Sequence, residues 1–239
     1  MANSYFQFKR FTIHHDKCAM KVGTDAVLLG AWANTDQCKN ILDIGTGTGI
    51  IALMLAQRSQ AEIDAIDIDA EACIQAKENV ASSEFAERVK VMQISCSEFA
   101  RRNSSLKKYD LIVSNPPYFI NSLKCPDNKR TVARHTDSLL LSDLVEDACS
   151  LLSPAGRIAL VLPYERLDEV EELAAANHLQ IQRQTDVIPV PGAMPKRLLV
   201  ELSAPQDNIK NRNILTIEEA RHQYTPEYIA LTKDFYLKM

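Results

Sequence analysis

The sequence predicts an α/β domain in which a mostly parallel β-sheet carries helices on both faces. Seven apolar runs of strand length follow one another, at residues 40–44, 62–67, 89–94, 109–114, 157–162, 179–187 and 197–202. Segments with helical spacing separate or follow the first five runs, at residues 50–57, 70–80, 97–102, 142–152 and 164–176. This alternation favours a parallel sheet covered on both sides. The near-continuous apolar character of the early runs fits strands that are buried on both faces.

The last two apolar runs depart from this alternation. Residues 188–196 join them, hold three prolines and contain no helical pattern. A connection this short joins antiparallel neighbours, because parallel strands need a longer crossover. We therefore predict that these two strands pair antiparallel, which gives a seven-stranded sheet with one antiparallel strand.

Composition narrows the class of protein. The chain has 239 residues, 46% of them hydrophobic and 24% charged, as in a soluble globular domain. A formal net charge of −4 excludes a wholly basic nucleic-acid coat but allows a local basic patch. The N-terminus lacks the apolar core of a signal peptide, and no apolar run is long enough to cross a bilayer. Six scattered cysteines without a C-x-x-C pair predict reduced thiols and no metal site, so we expect a cytoplasmic protein.

The glycines cluster at one turn. Three of the seven, Gly45, Gly47 and Gly49, fall between the run at 40–44 and the helix at 50–57. Glycine permits a sharp turn and close approach of a ligand, and the helix end offers unpaired N–H groups. The spacing G-x-G-x-G, two residues after Asp43, differs from that of dinucleotide sites. S-adenosylmethionine carries an ammonium and a sulfonium in place of phosphates, which suits an acid at this turn. A tight turn without a ligand is the alternative.

The next strand ends at a second acid. Asp67 lies 22 residues after Gly45, where a carboxylate can accept hydrogen bonds from both ribose hydroxyls. Ile68 would then lie against the adenine ring of the cofactor. Asp69 fits better as the N-cap of the helix that begins at Ala70, although a capping role is the alternative for Asp67 as well.

The fourth strand leads into Asn115, Pro116, Pro117 and Tyr118. The prolines fix the backbone and remove two N–H donors, and Asn115 places an amide oxygen at the edge of the sheet where ligands bind. The Asn115 oxygen and the Pro116 carbonyl can accept the two hydrogens of a planar amine while Tyr118 stacks on the attached ring. Such an arrangement positions an amine for methyl transfer without a strong base.

Together these motifs resemble amino-methyltransferases of class I, which act on adenine, on guanine N2 or on glutamine amides. The segments FKRF at 8–11, DKCAMKVGTDAVLLGAW at 16–32 and YTPEYIALTKDFY at 224–236 are similar to bacterial tRNA adenine-N6 methyltransferases that modify the adenine beside the anticodon of a valine tRNA. The resemblance implies a Rossmann-like fold, S-adenosylmethionine as cofactor, tRNA as partner and N6-methyladenosine as product. It also implies that the Lys21–Asp25 segment folds over the cofactor.

One position departs from the family pattern. Class I enzymes often carry an acid after the third strand, near the adenine amino group of the cofactor. Residues 94–97 are Ile-Ser-Cys-Ser and hold no acid. We expect Ser95 or a backbone N–H to make this contact instead.

Two other functions fit some of these features. A glutamine-amide methyltransferase acting on a protein such as a release factor would share the glycine turn and the Asn-Pro-Pro-Tyr motif. Such enzymes usually carry a helical domain before the turn, whereas only 42 residues precede Asp43 here. A catalytically inactive RNA-binding module would not need the intact Asn115 and Tyr118.

A basic stretch follows the motif. Residues 123–135 include four cations opposed only by Asp127, namely Lys124, Lys129, Arg130 and Arg134. Cations beside a catalytic pocket suit RNA phosphates, and a solvated loop is the alternative. Lys9, Arg10 and Lys17 would extend this patch.

We expect a single domain over residues 1–239. Residues 1–33 would cover the cofactor and substrate, residues 34–204 would form the catalytic core, and residues 205–239 would form a C-terminal extension with a strand at 214–217 and a helix at 226–238. No pattern in the sequence indicates an oligomeric state.

Overall fold

The computed structural model describes residues 3–18, 21–117, 140–205 and 211–239. The N-terminal part holds three elements: β1 (Tyr5–Gln7), β2 (Thr12–His14) and α1 (Thr24–Trp32). The alternating core follows with β3 (Asn40–Ile44), α2 (Ile50–Arg58), β4 (Glu62–Asp67), α3 (Ala70–Ala81), β5 (Val89–Gln93), α4 (Cys96–Asn103), β6 (Tyr109–Ser114), α5 (Leu141–Leu151) and β7 (Leu152–Pro163). A 3₁₀ turn at Tyr164–Arg166 precedes α6 (Leu167–Ala176), β8 (Gln180–Ile188), β9 (Arg197–Ser203), β10 (Asn211–Thr216), β11 (Glu218–Ala220), β12 (Gln223–Tyr224) and α7 (Pro226–Thr232).

The main sheet confirms the predicted α/β class. Its strand order is β10-β8-β9-β7-β6-β3-β4-β5, and within the described chain β9 is antiparallel to both of its neighbours while the other pairs are parallel. The prediction that the last two apolar runs pair antiparallel is therefore correct.

The strand count differs from the predicted seven, because β10 adds an eighth strand in parallel register with β8. The predicted short strand at 214–217 thus begins earlier and joins the main sheet. Its first four residues, Asn211 to Ile214, are exposed, as at a sheet edge. Since these positions are mostly polar, they carry little of the apolar signal on which a strand prediction depends.

Two apolar layers enclose the sheet. Successive residues of β3 point to opposite faces: Ile41 packs in the layer that contains α1 and α2, and Leu42 packs in the layer that contains α4, α5 and α6. Both side chains are fully buried. The carboxyl ends of β3, β4, β5 and β6 consequently meet along one edge of a rigid support.

The two termini pack against each other. Phe8 forms an isolated antiparallel bridge with Tyr236, and the Lys9 N–H donates to the Phe235 carbonyl at 2.8 Å. The predicted helix at 226–238 is therefore too long: α7 ends at Thr232, because the following residues bind the N-terminal segment. None of the helices in the described ranges has the length and apolar character needed to span a membrane.

Candidate active site

A cavity of 610 Å³ opens at the carboxyl edge of β3, β4, β5 and β6. This is the edge at which open α/β sheets bind ligands. Eight of the residues singled out in the sequence line it, namely Gly45, Gly47, Asp67, Ile68, Ser95, Asn115, Pro116 and Pro117. The fold therefore brings the glycine turn and the Asn-Pro-Pro segment together in the lining of this cavity.

The three glycines of the turn have left-handed backbones, with φ of +72° at Gly45, +56° at Gly47 and +82° at Gly49. A Cβ on Gly45 or Gly47 would meet no described atom within 4 Å, so both face open space. A Cβ on Gly49 would lie 3.4 Å from the Ala76 Cβ. Gly45 and Gly47 thus leave room for a ligand, whereas Gly49 allows α3 to pack against the turn.

Asp43 lies behind the turn instead of at its mouth. The side chain is fully buried and does not line the cavity, and its Oδ2 accepts from Thr46 Oγ1 at 2.7 Å and from the Ala52 N–H at 3.2 Å. Its Oδ1 has no hydrogen-bond partner among the described residues. Burial raises the pKa of Asp43 from 3.8 to about 7, against the opposing effect of the two hydrogen bonds. Asp43 therefore stabilises the glycine turn by binding Thr46 in the turn and Ala52 in the following helix.

Asp67 is positioned at the mouth of the cavity. Its Oδ2 accepts from the Gly47 N–H at 2.8 Å and its Oδ1 accepts from the Asp69 N–H at 3.0 Å. A carboxylate has about four acceptor positions, so two remain for a ligand. Asp69 is the N-cap of α3, as predicted: its side chain accepts from the N–H groups of Glu71 and Ala72.

The far end of the cavity is formed by Ile68, by residues 94–97 and by α5. Ile68 is 56% exposed, which is unusual for an isoleucine and leaves an apolar face toward the chamber. Ser95 caps α4 by accepting from the Glu98 N–H at 3.2 Å. Asp143, in the first turn of α5, lines the same end. Sequence reasoning missed this carboxylate, because only the packing of α4 against α5 brings it to the cavity.

The Asn-Pro-Pro segment lines the cavity beside the glycine turn, because it follows the strand that pairs with β3. Ser114 Oγ donates to the Ile44 carbonyl at 2.8 Å and so ties the end of β6 to the end of β3. Asn115 is half-buried and Pro116 is buried. The remaining residues predicted to act on the substrate lie outside the described residues: Tyr118, Lys124, Lys129, Arg130 and Arg134.

The N-terminal part of the chain supplies a further wall, lined by Cys18, Lys21, Gly23 and Asp25. Burial raises the pKa of the Cys18 thiol to about 11, so the thiol stays protonated and is a poor nucleophile. Asp25 forms an ion pair of 2.8 Å with Arg197.

Three N-terminal cations predicted to extend a basic patch are bound within the protein. Lys9 donates to the Lys233 carbonyl, Arg10 pairs with Glu84, and Lys17 pairs with Glu78. They consequently hold the N-terminal segment in place.

The charge of the cavity favours a cationic ligand. Among the described residues, its lining holds four carboxylates, Asp25, Asp67, Asp69 and Asp143, and one cation, Lys21, while Asp25 is already paired with Arg197. A pyrophosphate would be repelled here, whereas an ammonium or sulfonium would be attracted. The open space beside Gly45 and Gly47 also fits S-adenosylmethionine. The described residues contain no group of three or more His, Cys, Asp or Glu side chains able to hold a metal ion.

Comparison with known proteins assigns the family. The model of the methyltransferase small domain matches residues 18–180. A protein of Parabacteroides distasonis named tRNA1(Val) (adenine(37)-N6)-methyltransferase is 60% identical over 239 residues, which is 100% of both chains. The chain belongs to the tRNA1(Val) (adenine(37)-N6)-methyltransferase family. A member from Bacteroides fragilis is 49% identical, and the match covers 100% of both chains. A member from Tolumonas auensis is 44% identical, and the match covers 100% of this chain and 99% of that relative.

Solved structures agree on the fold of this family member. A predicted O-methyltransferase from Agrobacterium tumefaciens superposes with a TM-score of 0.68 at 18% identity, covering 88% of this chain and 96% of its own. The ribosomal protein L11 methylase of Lactobacillus delbrueckii gives a TM-score of 0.54 at 21% identity over 76% of this chain and 77% of its own. Both are methyltransferases by name, and the α/β fold predicted from the class I resemblance is confirmed.

Proposed function

We propose that this enzyme transfers a methyl group from S-adenosylmethionine to the exocyclic N6 of an adenine in tRNA, at position 37 beside the anticodon of a valine tRNA. The observation that carries the proposal is the placement of Asn115 and Pro116 in the same cavity as the glycine turn and Asp67. The full-length relatives bear the name of this reaction.

Different residues around the cavity are proposed to bind different parts of S-adenosylmethionine. Gly45 and Gly47 leave space for the methionine portion of the cofactor, and Asp67 offers two free acceptor positions to the ribose hydroxyls. Ile68 offers an apolar face to the adenine ring of the cofactor. Asp143 is the carboxylate that we propose to accept from its amino group, a contact that we expected from Ser95 or a backbone N–H.

When bound, S-adenosylmethionine supplies an electrophilic methyl group on a sulfonium. The protein's task is to present the amine nitrogen of the target adenine with its lone pair directed out of the conjugated ring. Asn115 Oδ1 and the Pro116 carbonyl accept the two amine hydrogens, and Pro117 fixes the backbone that carries them. Both acceptors also stabilise positive charge that develops on the nitrogen as it attacks.

RNA recognition requires contacts beyond the cavity. A base in a folded tRNA must leave its stack to reach Asn115, at a cost that is smallest in a loop such as the anticodon loop. Tyr118 is proposed as the stacking partner of that base. Lys124, Lys129, Arg130 and Arg134 are proposed to contact the phosphates.

The test is to incubate the protein and radiolabelled S-adenosylmethionine with one substrate in each of four separate reactions. The substrates are unmodified valine tRNA, ribosomal RNA, DNA and release factor. After digestion, the label should appear as N6-methyladenosine from the tRNA. A valine tRNA transcript with guanine at position 37 is the matched control and should take up no label. Label recovered as N5-methylglutamine from the protein substrate would refute the proposal in favour of an amide methyltransferase.

A further inference from the structure

Two buried amide side chains on α3 lie outside the roles assigned above. Gln75 and Asn79 are each 1% exposed. Because they are four residues apart on one helix, they share a face. That face meets the N-terminal strap, which we define as residues 3–18 and which contains β1 and β2.

Asn79 connects the strap to the glycine turn. Its Oδ1 accepts from the His14 N–H at 2.9 Å, and its Nδ2 donates to the His14 carbonyl at 2.9 Å. The same Nδ2 donates to the carbonyl of Thr48, inside the glycine turn, at 2.9 Å. Both amide hydrogens are thereby used, and one side chain holds two segments far apart in sequence.

Gln75 holds the strap one turn earlier on the helix. Its Oε1 accepts from the Lys17 N–H at 3.0 Å, and the Lys17 ammonium pairs with Glu78 on the same helix. The next residue of the strap, Cys18, lines the cavity. The strap therefore reaches the cavity directly after its last anchor on α3.

We infer that Asn79 is a positioning residue that sets the separation between the strap and the glycine turn, with Gln75 as a second anchor. Both segments that Asn79 joins continue into the lining of the cavity, the strap through Cys18 and the glycine turn through Gly47 and Thr48. This inference rests on the proposal that the cavity binds S-adenosylmethionine.

The physical basis is the cost of leaving buried polar groups unpaired. Without the Asn79 amide, the buried Thr48 carbonyl and the partly buried N–H and carbonyl of His14 lose their partners, which is unfavourable. Detachment of the strap relieves this by exposing these groups to solvent. The apparent dissociation constant then rises in inverse proportion to the fraction of molecules whose strap remains attached.

The experiment compares Asn79→Leu, which keeps the approximate size but removes the polar atoms, with Val170→Ala. Val170 is fully buried in α6, on the opposite face of the sheet from the strap, so its truncation lowers stability without touching either wall. For both variants and the wild type, calorimetry gives the Kd of S-adenosylmethionine at a temperature well below every Tm. Hydrogen exchange gives the protection of the His14 and Lys17 amides.

In Asn79→Leu, we expect the Kd to rise by about tenfold or more and the His14 amide to lose most of its protection. The turnover of tRNA at saturating cofactor should stay within about twofold, because Asn115 and Pro116 are unchanged. Val170→Ala should show neither change. Gln75→Leu, which removes the anchor at Lys17 and a bond to Glu78 but leaves the bonds of Asn79 in place, should raise the Kd less, and it serves as the test if Asn79→Leu fails to fold.

An unchanged Kd in Asn79→Leu, or an equal rise in Val170→Ala, would overturn the inference. Retained protection at His14 would overturn it as well, and that measurement needs no cofactor. If the wild type itself does not bind S-adenosylmethionine, the proposed function fails, whereas the exchange result still decides whether Asn79 holds the strap.

Discussion

The backbone N–H of Gly47 donates a hydrogen bond of 2.8 Å to Oδ2 of Asp67. This bond joins the glycine turn after β3 to the end of β4, and the N–H of Asp69 occupies the other carboxylate oxygen at 3.0 Å. The carboxylate is therefore oriented before any ligand arrives, so that little conformational freedom is lost on binding.

Replacing Gly47 by valine should abolish binding of S-adenosylmethionine, because the side chain would occupy the open space that a ligand needs. Gly192 is the control, since it also has a left-handed backbone, with φ of +77°, and open space on its Cβ side, but it does not line the cavity. Gly47→Val and Gly192→Val should both lower the Tm through backbone strain. Only Gly47→Val should lose cofactor binding in calorimetry. Equal affinity in both variants would place the ligand elsewhere.

Replacing Asp67 by alanine should weaken cofactor binding by roughly 1–3 kcal/mol, the cost of losing hydrogen bonds to a charged group. Asp110 offers a matched control at the opposite edge of the sheet. Its Oδ2 accepts from the N–H groups of Lys39 at 2.8 Å and Asn40 at 3.0 Å. Asp110→Ala should lower the Tm with little change in affinity. If both variants bind S-adenosylmethionine with the affinity of the wild type, the proposed contact between Asp67 and the ribose is wrong.

Replacing Asn115 by alanine removes one of the two acceptors proposed for the target amine. The rate of single-turnover methyl transfer to tRNA should fall by about a hundredfold or more. Cofactor affinity should persist, since the contacts that we propose for the adenosyl group lie at Asp67 and Ile68. The readout is N6-methyladenosine by mass spectrometry, and substantial activity in Asn115→Ala would refute the mechanism.

Replacing Asp143 by alanine should lower the affinity for S-adenosylmethionine several-fold, because this carboxylate lines the end of the cavity that we assign to the adenine ring. Glu146 lies on the same helix, is exposed and does not line the cavity, so Glu146→Ala should bind normally. Comparing S-adenosylmethionine with an analogue that lacks the adenine amino group sharpens the test. The analogue should bind equally well to the wild type and to Asp143→Ala.

Asp43 should make stability depend on pH. Burial raises its pKa to about 7 in the folded protein, from an ordinary value of 3.8. Between these values the folded chain holds the extra proton, so this group's contribution to stability falls as pH rises and is lost above about 7. Asp43→Asn does not titrate. The Tm of Asp43→Asn minus that of the wild type should therefore increase from pH 5 to pH 8, and a constant difference would contradict a pKa of about 7 for Asp43.

Local patterns were sufficient to predict most of the secondary structure. The strands at 40–44, 62–67 and 109–114 have the predicted bounds, because each is an apolar run flanked by residues that end it. The glycine turn and Asp67 were predicted for a similar reason, since their identity and spacing are local. Strand β10 was placed incompletely because an exposed edge strand lacks that apolar signal.

Side-chain direction and long-range contacts could not be predicted in this way. The sequence placed Asp43 at the mouth of the turn, whereas packing against Thr46 and Ala52 holds it behind the turn. Asp143 and Asn79 carry no local signal, because their surroundings come from segments distant along the chain. The roles that we propose for Asp143 and Asn79 are visible only in the folded chain, where their helices pack against the sheet and the strap.

Residue types at short, fixed spacings were enough to predict the α/β class, the glycine turn, the Asn-Pro-Pro segment and the resemblance to a tRNA methyltransferase. Packing in three dimensions determines which acids face the cavity, which cations are already paired and how the strap is joined to the glycine turn. These depend on burial and on contacts between residues such as Asn79 and Thr48, which lie 31 positions apart. Chain folding brings such residues together, and no spacing along the sequence encodes their separation in space.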